Sequence, residues 1–143
     1  PHRLERIINN DSLEVINNSK ATNIDSTIKS ISNYKNIYLI IGGRAKEKDF
    51  SSLINFKRNI LKCYIIGESS DFIYKQLNSS INLKISHNLA DALREIFFEL
   101  RGSNIKSTIL FSPGCSSFDQ FENFEDRGNK FKELAMKEIL KYK

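Results

Sequence analysis

The sequence predicts an α/β fold, in which a Rossmann-like, mostly parallel sheet of about six strands is flanked by helices and entered through a hairpin. Three observations predict it. Strand-like runs alternate with helical patterns, several of these runs are apolar throughout, and two runs near the start flank a polar turn. A length of 143 residues with 40% hydrophobic content fits a single domain, 1–143, with a substantial core.

The first half of the chain supplies the hairpin and two buried strands. Two short runs around an Asn-Asn-Asp-Ser turn predict the hairpin-like entry. Isoleucines at helical spacing, preceded by candidate N-cap residues, predict the first helix. An apolar run that ends in two glycines is typical of a strand buried on both faces. The predicted elements are strands at 4–8 and 13–17, a helix at about 22–33, a strand at 36–43, a helical segment at 49–58 and a strand at 62–67.

The second half repeats the alternation. A short helix precedes a weaker strand, and the next helix is strongly amphipathic, with Asn88 or Ser86 as its candidate N-cap and Gly102 at its end. A third buried strand leads to a final helix with an apolar stripe of Phe131, Leu134, Ala135, Ile139 and Leu140. The predicted elements are a helix at 69–77, a strand at 81–86, a helix at 88–102, a strand at 106–112 and a helix at about 124–142.

Charge and hydropathy argue against some classes of protein. The net charge is +5, but no basic face is interleaved with aromatic residues, so we expect no nucleic-acid partner. No apolar run approaches the ~18 residues of a membrane span and no secretory signal opens the chain, so we expect no membrane partner. Two distant cysteines suit a reducing compartment, and we expect a soluble, cytoplasmic domain. The start at Pro-His-Arg, without an initiator methionine, suggests a piece of a longer protein.

Three polar segments follow predicted strands, where parallel α/β sheets bind their ligands. The first, 17–23 (NNSKATN), places Lys20 and Thr22 at a helix start, where free N–H groups and the helix dipole favour an anion. The same residues would equally form an N-cap beside a solvated lysine, and this segment alone leaves both interpretations open. The second, 42–50 (GGRAKEKDF), places Lys46 behind two glycines, either near a ligand or in solvent.

The third segment, 112–124 (SPGCSSFDQFENF), combines a Pro-Gly turn, serines and evenly spaced phenylalanines. Ser117 is a candidate hydroxyl donor to a carboxylate, or else a helix cap. Phenylalanines three residues apart are also typical of a helix face packed in a core. Cys115 has no histidine near it in the sequence, which favours a buried structural thiol over a nucleophile.

Four segments carry a resemblance to a known family. They are PHRLE at 1–5, NNSKATNIDST at 17–27, IIGGRAKEKDF at 40–50 and LFSPGCSSFDQFENFEDRGNKF at 110–131. In order and spacing they resemble the C-terminal domain of the Mur ligases, most closely that of the members that add D-glutamate. The pattern SPxxxSxDQFxxFxxRG in the last segment is the most specific part of the match.

The resemblance implies a function that the chain performs only within a larger enzyme of peptidoglycan synthesis. Such a ligase uses ATP and Mg²⁺ to convert the carboxylate of UDP-N-acetylmuramoyl-L-alanine to an acyl phosphate, which the amine of D-glutamate attacks. In the family, a central domain holds most contacts to ATP and Mg²⁺, an N-terminal domain holds the UDP group, and the C-terminal domain binds the amino acid and closes over ATP. We therefore expect these substrates and the chain's own central domain as partners, and a monomer.

The resemblance also implies the residues of the site. The implied D-glutamate contacts are Thr22, Lys46, Ser117, Phe118 and Phe124. The implied nucleotide-side residues are His2, Arg3, Asn18 and Lys20. The resemblance assigns this domain neither a catalytic residue nor a metal ligand.

This chain departs from the family pattern at three places, one of which is Phe118 in place of a commonly seen leucine. Asn18 stands where the family has an aspartate associated with the ATP ribose, and Arg44 and Ala45 replace a more usual Asp-Gly. Two other functions therefore stay open. One is a different Mur-type or folylpolyglutamate-type ligase, and the other is a non-catalytic α/β binding module, which Asn18 and Arg44 favour.

Overall fold

A computed structural model describes residues 1–142. The strands are β1 Glu5–Asn9, β2 Leu13–Asn17, β3 Ile37–Gly42, β4 Ile60–Ile66, β5 Leu83–His87 and β6 Ser107–Phe111. The α-helices are α1 Ile24–Ile31, α2 Ser70–Leu77, α3 Leu89–Leu100 and α4 Phe124–Tyr142, and a 3₁₀ segment spans Ser51–Asn59. None of the helices within these residues is long and apolar enough to cross a bilayer.

The six strands form one sheet in the order β1-β2-β6-β3-β4-β5. Only β1 runs antiparallel to its neighbour, and every other pair of neighbouring strands is parallel. The predicted α/β class, the mostly parallel six-stranded sheet and the hairpin entry are therefore confirmed. The central strands β3 and β6 are buried along their whole length, which explains why β3 is a continuous apolar run and why β6 ends in one, at Ile109–Phe111.

The sheet divides the core into two apolar layers. Successive residues of β3 point to opposite faces, so Tyr38 and Ile40 join one layer while Leu39 and Ile41 join the other. Helices α3 and α4 cover the first layer, and α1, the 3₁₀ segment and α2 cover the second. Full burial of each such side chain contributes about 1.5–3 kcal/mol, so both layers are needed for a stable domain.

One local prediction is confirmed only in part, and another is wrong. The segment predicted as helical at 49–58 forms a 3₁₀ segment with a kink at Phe56, whose φ of −112° is not helical. In α4, Leu140 was expected on the apolar stripe but its side chain is 71% exposed, because the buried face runs through Phe131, Ala135 and Ile139. Leu140 therefore lies on the solvent face of α4, although Tyr142 further along the helix still packs against the core.

The strand order creates a crevice at one edge of the sheet. Strand β6 lies between β2 and β3, and because the three are parallel, the loops that follow them leave the same edge. The loops after β2 and β3 lead to the layer of α1 and the 3₁₀ segment, whereas the loop after β6 leads to α4 on the opposite face. Loops that diverge in this way open a ligand-binding crevice between them.

Candidate ligand site at the carboxyl end of the sheet

Backbone hydrogen bonds join the three polar loops to one another. Arg44 and Ser116 exchange two of them, with N···O distances of 3.0 and 3.1 Å. The Gly114 N–H donates to the Ala21 carbonyl at 2.9 Å, which ties the loop after β6 to the loop after β2. The three segments that the sequence analysis singled out therefore form one surface.

Gly43 permits the closest of these approaches. Its φ is +136°, and a Cβ at this position would lie 2.5 Å from the Ser116 carbonyl oxygen. A side chain would therefore both strain the backbone and push the loop after β3 away from the loop after β6. This contact explains the second glycine of the pair in the sequence.

Thr22 and Lys46 lie on neighbouring loops. Thr22 is half-buried immediately before α1, whose N-cap is Asn23, with Oδ1 accepting from the Ser26 N–H at 2.9 Å. Lys46 is exposed, while the adjacent Glu47 turns inward and accepts a hydrogen bond from the Ile24 N–H at 2.8 Å. This contact holds the Lys46 loop against the start of α1.

Ser117 and the two predicted phenylalanines occupy different environments. Ser117 is buried and its carbonyl accepts from the Phe121 N–H at 2.8 Å, so a single turn, rather than a helix, follows it. Phe118 is 59% exposed, whereas Phe124 is half-buried and its carbonyl accepts from the Ser19 hydroxyl at 2.8 Å. The interpretation of Ser117 as a helix cap is wrong, because α4 begins at Phe124 and Asn123 accepts from the Asp126 N–H at 2.7 Å.

Two further polar residues of this segment have structural contacts. The Asp119 carboxylate accepts from the Glu68 N–H at 2.9 Å, and the Gln120 amide donates to the His87 carbonyl at 2.8 Å. They bind the turn after Ser117 to the ends of β4 and β5. These bonds explain why the evenly spaced phenylalanines do not form the helix face that their spacing suggests.

A cationic cleft of about 360 Å³ lies beside this surface. It is lined by Arg3, Leu4, Asn18, Lys20, Ala21, Ser26, Lys29, Ser30 and Asn33. Three of these residues are cationic and none is acidic, so the cleft favours an anion. Arg3, Asn18 and Lys20 of the predicted nucleotide-side group thus share one cleft, while His2 is not among its lining residues.

Asn18 has both polar atoms of its side chain engaged by the chain itself. Its Oδ1 accepts from the Leu4 N–H and its amide donates to the Ser112 hydroxyl, both at 3.0 Å. Ser112 in turn lies 2.9 Å from the Ser30 hydroxyl. Asparagine suits this position because it both accepts and donates, whereas a carboxylate only accepts.

His2 faces helix α4. Its side chain is buried, its Nδ1 lies 3.0 Å from the Asn17 amide, and its ring meets the Phe124 ring edge-on. Burial lowers the pKa of His2 below its ordinary value, although the nearby Glu5 carboxylate opposes the shift. The imidazole therefore favours the neutral form and anchors the first residues of the chain to α4.

Arg127 is the residue that the sequence analysis missed. It is only 1% exposed and donates from Nε to the Ser19 hydroxyl at 3.0 Å, from Nη2 to the Ser19 carbonyl at 2.7 Å and from Nη1 to the Cys115 carbonyl at 2.9 Å. Burial lowers the pKa of Arg127 to about 10, so it stays charged at neutral pH. The Arg-Gly pair of the last motif was the available signal, but arginine is rarely buried, and periodicity does not identify such cases.

Cys115 packs beneath the same loops. Burial raises the pKa of its thiol to about 12, which leaves almost no thiolate at neutral pH. The interpretation as a structural thiol rather than a nucleophile fits this environment.

Comparison with known proteins identifies relatives over nearly the whole chain, although no protein-family model matches it. The UDP-N-acetylmuramoylalanine–D-glutamate ligase of Wolbachia sp. subsp. Brugia malayi is 43% identical over 91% of this chain and 26% of its own length. The ligases of the same name from Prochlorococcus marinus and Bradyrhizobium diazoefficiens are 40% and 36% identical, over 97% and 94% of this chain. The chain spans less than a third of these relatives, at 26%, 31% and 29% of their lengths. These similarities confirm the resemblance of the chain, over nearly its whole length, to one part of ligases of the Mur family.

Proposed function

We propose that this chain is the C-terminal, amino-acid-binding domain of an ATP-dependent ligase that adds D-glutamate to UDP-N-acetylmuramoyl-L-alanine in peptidoglycan synthesis. The observation that carries the proposal is the convergence of the three polar loops into one surface. It is supported by relatives named as ligases of this specificity, which are 35–43% identical to the chain. In this proposal, the UDP-binding and central ATPase domains belong to the part of the relatives' length that the chain does not span.

The proposed D-glutamate site uses charge and hydroxyl groups to bind two carboxylates. Lys46 supplies a cation on an exposed loop, and Thr22 supplies a hydroxyl at the positive end of α1. Ser117 supplies a second hydroxyl, with Phe118 and the Phe124 backbone beside it. These residues orient the amine of D-glutamate toward the activated acceptor, so the domain contributes positioning rather than a catalytic side chain.

The cationic cleft fits the nucleotide side of the same proposal. ATP would supply the phosphoryl group that activates the acceptor carboxylate, and Mg²⁺ would neutralise part of the phosphate charge. Arg3 and Lys20 line the cleft and would hold the phosphate charge, while Asn18 is occupied by Leu4 and Ser112 and offers less to a ribose. Within residues 1–142 no three His, Cys, Asp or Glu side chains form a metal site, so the proposal assigns Mg²⁺ to the central domain.

The proposal also covers the cellular compartment and the oligomeric state of the enzyme. Both cysteines are free and buried, which agrees with a reducing compartment such as the cytoplasm. We propose a monomer that closes this domain against its own central domain. The exposed Phe118, on the turn after Ser117, is suited to such a contact.

Substrate use by the complete ligase that contains this chain tests the function. We expect product from UDP-N-acetylmuramoyl-L-alanine, ATP and D-glutamate, and none when L-glutamate replaces D-glutamate. Product with another amino acid alone would favour a different Mur-type or folylpolyglutamate-type ligase. Absence of any product, with ATP and acceptor bound by the rest of the protein, would favour a non-catalytic binding module.

The Lys46→Ala variant tests the site. Losing one charge-assisted hydrogen bond costs about 1.5–3 kcal/mol, so the KM for D-glutamate should rise about 10- to 100-fold with little change in the KM for ATP. Lys48→Ala is the matched control, because Lys48 lies on the same loop but its ammonium sits 5.9 Å from the centre of the Phe72 ring. An unchanged KM for D-glutamate in Lys46→Ala would remove Lys46 from the site.

A further inference from the structure

The environment of Arg127 is unusual for a buried cation. Within residues 1–142, none of its hydrogen bonds goes to a carboxylate, and its partners are two backbone carbonyls and one hydroxyl. Its guanidinium also lies 5.7 Å from the centre of the Phe111 ring. Burying a cation costs several kcal/mol, and the Asp119 carboxylate acts on the guanidinium without a hydrogen bond to it, so the three oxygens are its direct partners.

The partners of Arg127 belong to two of the three loops of the candidate site. Ser19, in the loop after β2, lies between Asn18 and Lys20, and Cys115, in the loop after β6, lies two residues before Ser117. Arg127 itself comes from the first turns of α4. One side chain therefore links the two loops to the helix that follows them.

Ser19 closes this arrangement into a ring of contacts. Its hydroxyl accepts from Arg127 Nε at 3.0 Å and donates to the Phe124 carbonyl at 2.8 Å. The backbone of Phe124 is thereby held against the loop that carries Lys20 and Thr22. Loss of the guanidinium would remove three hydrogen bonds that tie Ser19 and Cys115 to α4 and would leave only the bond from the Ser19 hydroxyl to the Phe124 carbonyl.

We propose that Arg127 is a positioning residue of the D-glutamate site, whose guanidinium sets the spacing between the loop carrying Thr22 and the loop carrying Ser117. This inference rests on the proposed function. Only arginine presents donors on three nitrogens in one rigid plane, so it reaches all three oxygens at once. Lysine would keep the positive charge but would not form hydrogen bonds to both loops. Methionine would keep neither the charge nor the hydrogen bonds.

Steady-state kinetics of the complete ligase with Arg127→Lys and Arg127→Met test the inference. Both variants should raise the KM for D-glutamate at least about tenfold, because the groups that receive its carboxylates are no longer held at a fixed spacing. Lys130→Met is the matched control, since Lys130 is exposed on the same helix and lies 3.6 Å from Glu133. It should leave the KM unchanged.

A second control separates positioning from loss of stability. Ile139→Ala removes a buried side chain of α4 that packs in the core layer under that helix, and it should lower the unfolding midpoint without changing the KM for D-glutamate. All variants are assayed well below their unfolding midpoints. A KM within twofold of wild type in Arg127→Lys and Arg127→Met, or an equal rise in Ile139→Ala, would overturn the inference.

Hydrogen exchange on the 143-residue chain provides a readout independent of ligase activity. In Arg127→Lys, the amides of 19–22 and 115–117 should exchange faster than in wild type, while those of β3 should not. Lys130→Met should show wild-type exchange in both loops. Unchanged exchange in Arg127→Lys would be enough to overturn the proposed spacing role. A wild-type ligase that does not use D-glutamate would instead overturn the proposed function.

Discussion

At the scale of single residues, the burial of His2 should make the stability of the domain depend on pH. Its pKa is lowered chiefly by burial; Lys132 lowers it further, while Glu5 and Glu125 oppose the shift. The unfolded chain therefore binds a proton at a higher pH than the folded chain does, near the ordinary value of 6.5. The free energy of unfolding should accordingly fall as the pH drops through and below this value.

Urea unfolding between about pH 7.5 and pH 5.5 measures this effect. We expect wild type to lose stability across this range and His2→Gln to lose less, because glutamine can still accept from the Asn17 amide but does not titrate. The carboxylate of Glu5 does not confound the comparison, because its pKa is lowered from 4.5 and it titrates below the range. Equal pH slopes for the two proteins would show that His2 does not titrate differently on folding.

Single residues also mark the limit of prediction from sequence. Lys46 and Ser117 were singled out because they follow predicted strands, and the loops that carry them do meet. Arg127 gave no comparable signal, because its partners Ser19 and Cys115 lie 108 and 12 residues away in the chain. The alternative that Ser117 caps a helix is wrong because the side chains of Asp119 and Gln120 form tertiary hydrogen bonds, which periodicity cannot anticipate.

At the scale of elements, the segment before β1 is held to α4 by a close contact between His2 and Gly128. A Cβ added at Gly128 would fall 2.8 Å from His2 Cγ and Cε1, well inside normal contact distance. We expect Gly128→Ala to destabilise the domain by about 1–3 kcal/mol, because the ring is buried and has little room to move. Gly102→Ala is the control, since its nearest neighbour would be the Glu99 carbonyl at 3.9 Å.

A double-mutant cycle decides whether this contact is the cause. If the clash with the ring dominates, His2→Ala should remove most of the penalty of Gly128→Ala, and the coupling free energy should exceed about 0.5 kcal/mol. Chemical denaturation of the four proteins gives the required values. Additive effects would place the cost of Gly128→Ala within α4 itself.

Elements differ in how well the sequence predicts them. Strand β3 and helix α3 were predicted because each carries a complete pattern, the first apolar throughout and the second amphipathic with Asn88 as its cap. The sequence predicts a helical segment at 49–58 but not its 3₁₀ form. Packing decides this conformation more than local propensity does, and Leu53 is the one buried residue of the segment. Short segments with little burial are therefore the ones that the sequence predicts least well.

At the scale of the whole molecule, we expect the cationic cleft to hold ATP only weakly without the proposed central domain. Arg3, Lys20 and Lys29 supply positive charge, but the chain spans only 26–31% of the length of the relatives with which it is compared. In the proposal, the phosphate loop belongs to the central domain. The isolated chain should therefore attract ATP only through charge, and such attraction between exposed groups is screened by salt.

Titration of residues 1–143 with ATP tests this division of labour. We expect a Kd no tighter than about 1 mM, weakening as salt rises from about 50 to about 300 mM, and no ligase activity. Lys20→Met should weaken binding further, whereas Lys57→Met, which removes an equal charge from the exposed surface of the 3₁₀ segment, should have little effect. Micromolar, salt-independent binding of ATP would mean that this chain holds a complete nucleotide site, and the central domain would then lose the role assigned to it here.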